Sequence, residues 1–193
     1  MINDKTLLQQ KYQQGHEFDE FMDLADSLQH RLPWDERYGQ LELTPEQTDL
    51  VHAFSRKMHV LCLTGTWCGD CALQGAAMAR ISQANPENIQ LRYLQRDDEH
   101  AELIVKSQIN AGFRVPVTWF LSEDFEPIAC FGDRTLSRYR SMALKSLPPN
   151  QANVLASPPQ NPVRMVLDEI LEEFERIHLI LRLSPRLRQQ HGD

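Results

Sequence analysis

His59-Val60-Leu61-Cys62-Leu63-Thr64-Gly65-Thr66-Trp67-Cys68-Gly69-Asp70-Cys71 is the stretch whose reading decides the fold. It opens as a short apolar run and closes on a Trp-Cys-x-x-Cys dithiol. Beyond it Ala72, Leu73, Ala76, Ala77, Met78 and Ile81 recur at helical spacing. A buried strand therefore hands over to a helix at the dithiol, with Cys68 at the helix start and Cys71 one turn inside. Backbone N–H groups and the positive end of the helix dipole favour a thiolate at that place. The thiolate is the species that attacks a disulfide, so the pattern points to thiol–disulfide exchange.

Working outward, Ile89 to Leu94 reads as a second strand, and Asp97 or Asp98 as the cap of a helix running to about Asn110. Val117 to Ser122 and Pro127 to Phe131 read as a hairpin joined through Glu123-Asp124-Phe125, and Leu136 to Leu147 as a closing helix. Upstream, Thr44-Pro45-Glu46-Gln47 supplies an N-cap, a first-turn proline and a capping-box partner. Earlier still, residues 5 to 31 carry two helical patches broken near Gly15. The second is marked by Phe18, Phe21, Met22, Ala25 and Leu28, and Pro33 is expected to end it. Strands alternating with helices and then a hairpin give an α/β fold, a central mixed sheet with helices on both faces.

Between Lys145 and Pro162 five prolines alternate with Asn, Gln and Ser, the composition of a linker or strap. Met165, Val166, Ile170, Leu171, Phe174, Ile177, Ile180 and Leu181 then form a long apolar stripe. That stripe is expected to pack on the same chain, with a homodimer interface as the competing use. Arg186 to Asp193 reads as a mobile polar tail. The division is an N-terminal helical extension (1–43), a core domain (44–147), a Pro-rich linker (148–162) and a C-terminal helix with its tail (163–193).

The chain has 193 residues, 41% hydrophobic and 24% charged, with a formal charge of −7. This is ordinary globular material, and the negative balance argues against binding nucleic acid or anionic membranes. No run approaches the length of a membrane span, and the polar start Met1-Ile2-Asn3-Asp4-Lys5-Thr6 has no signal-peptide core, so a cytoplasmic location is expected. Four cysteines, two of them in one Cys-x-x-Cys, suit a catalytic pair in a reducing compartment. The duller reading of that pair, half of a zinc site, lacks a second ligand pair, because Cys62, Cys130 and the histidines are scattered, and no metal is expected. Cys62 and Cys130 read as small structural hydrophobes, and His100 beside Asp97, Asp98 and Glu99 as a solvated helix start. Trp67 serves equally as packing or as an apolar shield and substrate contact.

With these residues in view, the sequence resembles the thioredoxin superfamily, in its Trp-Cys-Gly-Asp-Cys branch, over about Gln47 to Leu147. Gly112-Phe113-Arg114-Val115-Pro116-Val117-Thr118 looks like the segment that carries that family's cis-proline, and Phe131-Gly132-Asp133 like its glycine after the last strand. The resemblance implies a thioredoxin fold, with N- and C-terminal helices added, and a thiol-disulfide oxidoreductase. Cys68 would be the nucleophile and Cys71 the resolving thiol. Trp67 and the backbone of Val115 and Pro116 would hold substrate, with Gly69 and Asp70 modulating the pair. No cofactor beyond the dithiol is implied, and the partners would be protein or small-molecule disulfides and an upstream reductant.

The chain departs from the family at three positions. Cys62 stands where the family has a buried Asp, and Tyr93 falls where it has the paired Lys. Loss of both members avoids a lone buried charge, and leaves Cys71 without an evident proton acceptor. Asp70 replaces the usual Pro, and its charge should oppose thiolate formation at Cys68. The competing functional readings are an adaptor module with a vestigial dithiol and a thiol-ligated metal or iron–sulfur carrier.

Overall fold

The structure is a computed structural model that describes residues 2–152 and 161–193. In chain order the elements are α1 (Lys5–Gln13), α2 (Phe18–Asp23), α3 (Leu28–Gln40), α4 (Pro45–His52), β1 (Met58–Thr64), α5 (Gly69–Ala84), β2 (Ile89–Gln95), α6 (Ala101–Lys106), β3 (Val117–Ser122), β4 (Pro127–Gly132), α7 (Leu136–Ser146), α8 (Pro149–Ala152), α9 (Pro162–Leu183) and α10 (Pro185–His191). The sheet order is β2-β1-β3-β4, with β1 parallel to β2 and antiparallel to β3. Every residue of β1 is buried, as befits a central strand covered on both faces. Its C-terminal end delivers the dithiol to the edge of the sheet.

The added helices share one core with the sheet. The α9 stripe is buried through Val166, Leu167, Ile170, Leu171, Phe174, Ile177 and Leu181, against α5 and α7 of the same chain, as expected. Helix α5 is apolar nearly all round because it lies between the sheet and the helices α3 and α9. The capping box at Thr44 and Gln47 forms in both directions. At the sheet's outer edge His16 and Tyr93 exchange backbone hydrogen bonds of 2.9 and 2.8 Å, so the N-terminal extension continues the sheet by one bridge.

Five local expectations are corrected. Pro33 does not end a helix: the second patch breaks after Asp23, a new helix starts at Leu28, and Pro33 lies inside it. The missing proline N–H is outweighed by burial of the neighbouring Trp34, which is fully enclosed. Helix α6 stops at Lys106 rather than Asn110, because Asn110 and Ala111 adopt left-handed φ values of 49° and 56° in a two-residue turn closed by Ile109 and Gly112. His100 is buried, not solvated, with its Nδ1 3.2 Å from Lys11 Nζ. Cys130, read as a small structural hydrophobe, does lie on the short strand with Ile128 but at an exposed position of the edge strand β4. The C-terminal tail is the helix α10, anchored by buried Leu187 and by Arg186 on Asp124. Within the expected strap, 149–152 form α8, and 153–160 lie outside the described residues.

The contact between extension and core is tightest at Gly75. A Cβ built there would lie 2.5 Å from Trp34 Cη2 and closer still to Cζ3, and the Gly75 carbonyl accepts from Tyr93 Oη at 2.7 Å. The indole is boxed in by Phe21 and Tyr93 and cannot retreat. Gly75→Ala is therefore expected to cost about 1–3 kcal/mol, from overpacking. Urea unfolding checks this, and unchanged stability would show that Trp34 has room to move.

Candidate active site

Cys68 is the N-cap of α5, in extended backbone, and its Sγ accepts the Cys71 backbone N–H at 3.4 Å. The sulfur is half-buried and lies 4.0 Å from the Val115 carbonyl oxygen, so the dithiol and the Val115–Pro116 segment face each other. That peptide bond is cis. Gly132 completes the group: a Cβ there would lie 2.7 Å from the Pro116 carbonyl oxygen, so glycine alone lets the end of β4 approach the proline loop.

The two thiols are unequal. A hydrogen bond from the Cys71 thiol, with help from the Cys71 and Asp70 backbone N–H groups, brings Cys68 down to about 7, against burial and the Asp70 charge. Cys71 is fully buried, and burial followed by the demand of Cys68 for its proton pushes its thiol well above the usual value. The Thr64 hydroxyl and the Gly65 backbone favour the Cys71 thiolate more weakly. Cys62 and Tyr93 are register partners on β1 and β2. Burial pushes Cys62 up to about 12, and Tyr93 is fully enclosed, so the floor of the site is neutral where the family has an ion pair. Among the described residues no three His, Cys, Asp or Glu side chains gather as metal ligands.

Asp70 sits differently from its simplest reading. Its carboxylate is nearly buried and pairs with Arg134 Nε at 2.6 Å and with Arg138 Nε. Its charge still pushes Cys68 up, while two guanidinium groups share the carboxylate. Arg134 also reaches Asp133 at 2.8 Å, and Asp133 accepts from Arg114 at 3.1 Å and from Tyr139 Oη. This ladder ties the start of α5 to the β4–α7 turn and to the residue before Val115. Gly69 is open, with nothing near a notional Cβ, and Trp67 is 46% exposed beside Cys68.

Several site-building residues escape sequence reasoning. Trp34 Nε1 donates to the Thr66 carbonyl at 3.0 Å, and Gln95 accepts from the Thr66 N–H at 3.3 Å, so the dithiol loop is held from α3 and β2. Arg96 lies over the Trp67 ring at 5.7 Å. Trp34 follows a proline that reads as a helix end, which hides it. The arginines of the ladder carry no motif, although Asp133 directly follows the glycine landmark.

A sequence profile described as thioredoxin matches residues 15–142, and the chain belongs to the thioredoxin family. Among solved structures it is similar to a protein of unknown function from Pseudomonas aeruginosa, with 19% identity, a TM-score of 0.61, and 86% of this chain and 93% of the other covered. It is also similar to an HIV epitope scaffold, with 16% identity, a TM-score of 0.64, and 88% and 95% covered. At these identities the likeness concerns the fold. No curated protein matches. Among the described residues no helix is long and apolar enough to cross a membrane.

The unequal thiols make a pH-dependent expectation. Iodoacetamide should label Cys68 first, at a rate that climbs as pH rises through about 7 and levels off above it, because only the thiolate reacts. Cys130 is the competitor because the residue is exposed, yet neighbouring groups desolvate its thiol enough to raise it to about 11, and no helix start stabilises its thiolate. Mass spectrometry that finds the first label on Cys130, Cys62 or Cys71 would reassign the nucleophile.

Proposed function

We propose that this protein is a thiol-disulfide oxidoreductase. The observation that carries the reading is the asymmetric pair, a half-exposed Cys68 with its thiol lowered to about 7 at a helix start, backed by a buried Cys71 that stays protonated. The Cys68 thiolate attacks a substrate disulfide, and one substrate sulfur leaves as a thiolate and takes up a proton. Cys71 then gives up its proton and attacks Cys68 Sγ, which releases the second substrate thiol and leaves the Cys68–Cys71 disulfide. Two electrons pass to substrate, and an upstream reductant restores the dithiol. The Val115 carbonyl, facing the sulfur, would take a substrate backbone N–H, and Trp67 would give an apolar contact. No prosthetic group is needed, and the dithiol suits a reducing compartment such as the cytoplasm.

The test is turnover of the insulin disulfides driven by dithiothreitol. A rate well above the dithiothreitol background supports the reading. No excess rate from folded protein would favour an adaptor with an idle dithiol.

A further inference from the structure

A cavity of about 520 Å³ opens beside the dithiol, lined by neither Val115 nor Pro116, and α7 and the added helices α3 and α9 build its walls. Gly69 and Asp70, the two residues between the cysteines, form its inner rim. Arg37 reaches in from the end of α3, Arg138 and Lys145 from α7, and the first turn of α9 closes the far side. Leu73, Leu144 and Val163 supply apolar surface.

Its charge runs against that of the protein. Three cations face one carboxylate in the lining, on a chain of net charge −7. The carboxylate is Asp70, already shared by Arg134 and Arg138. Arg37 donates to a neutral acceptor, Gln40, at 2.7 Å. Helices α5 and α9 both begin at the cavity, which adds two positive dipole ends. The volume suits a small organic ligand, not a folded domain.

We propose that this cavity binds the carboxylate-bearing half of a small anionic disulfide and so selects the substrate of the dithiol. The inference rests on the exchange reading above. The carboxylates would meet Arg37, Arg138 and Lys145, the hydrocarbon part Leu73 and Leu144, and the sulfur pair would lie at Gly69, next to Cys68. Attack by the Cys68 thiolate breaks the substrate S–S bond and forms a mixed disulfide, the departing thiolate takes a proton, and Cys71 closes the protein disulfide as it releases the second thiol. The dithiol loses two electrons and the substrate gains them.

The experiment uses three alkyl disulfides of different charge: dithiodipropionate, bis(hydroxyethyl) disulfide and cystamine. Each rate is divided by that of dithiothreitol with the same disulfide, to remove intrinsic reactivity. The anionic member should be favoured over the neutral one by roughly tenfold, and the cationic one disfavoured, with the spread shrinking as salt rises. An Arg37→Gln, Lys145→Gln double variant should lose most of that preference, whereas Lys57→Gln, in the turn before β1, should keep it. Separately, S-methylglutathione, an unreactive dicarboxylate thioether, should bind the wild-type protein saturably and bind the double variant several-fold more weakly.

A flat charge series, or thioether binding that the double variant leaves untouched, would overturn the assignment. If none of the three disulfides is reduced while those of insulin are, the cavity does not select the substrate and the assignment falls; if insulin is spared as well, the exchange reading fails, and the thioether titration still decides whether the cavity is an anion site.

Discussion

Cys68→Ser is expected to abolish disulfide reduction, with turnover falling by about three orders of magnitude or more, to the dithiothreitol background. A serine hydroxyl stays protonated at neutral pH, so the donors that lower the Cys68 thiol to about 7 have no thiolate to stabilise. Nothing else near the site replaces it: Cys71 is buried with its thiol raised, and Cys62 is pushed up to about 12. Cys71→Ser should behave differently. Its first step survives, so substrate accumulates as a mixed disulfide on Cys68, visible by mass spectrometry. Equal residual turnover in the two variants would show that the roles of the thiols are misassigned.

The second large effect concerns stability. Asp133 is 1% exposed and accepts from Arg114, Arg134 and Tyr139. Burial alone would raise its carboxyl, but the hydrogen bonds from Tyr139 and Arg114 and the Arg134 charge hold it below the usual carboxylate value. Asp133→Asn keeps the shape and removes the charge, leaving partly buried guanidinium groups unbalanced, at a cost of about 3 kcal/mol. The pH dependence has a definite sign. Because the folded value is depressed, the stabilisation is fully present above the unfolded value of about 4 and is lost as pH falls through the folded one. Unfolding free energies of wild type and variant should therefore converge in acid. Curves that stay parallel from neutral pH into strong acid would rule out an electrostatic role.

What the sequence disclosed, and what it hid, follows from the range of the interactions. β1, the start of α5, the β3–β4 hairpin and the capping box at Thr44 are set by neighbours a few residues away, and periodicity and cap residues reveal them. The cis Val115–Pro116 segment and Gly132 were legible through ordered landmarks of a family, not through local physics. The rest of the site is long-range. Asp70 meets Arg134 and Arg138 across 64 and 68 residues, and Trp34 meets Thr66 across 32, separations at which no periodic signal exists. Pro33 and the polar residues after Ser184 misled because local propensity there is overruled by burial of Trp34 and Leu187. His100 misled in the same way, its acidic neighbours suggesting solvent while its ring is enclosed.

Trp34 gives the N-terminal extension a meaning beyond packing. Its indole fills the notch at Gly75 and its N–H grips the Thr66 carbonyl, two residues before Cys68. Trimming the chain to residues 44–147 would cut into the stretch, 15–142, that matches the thioredoxin family, and would not yield a minimal version of the fold. It would leave a hole beside the reactive helix and a loop with one tether fewer, so the chemistry and the extension have to be inherited, transplanted or engineered as a unit.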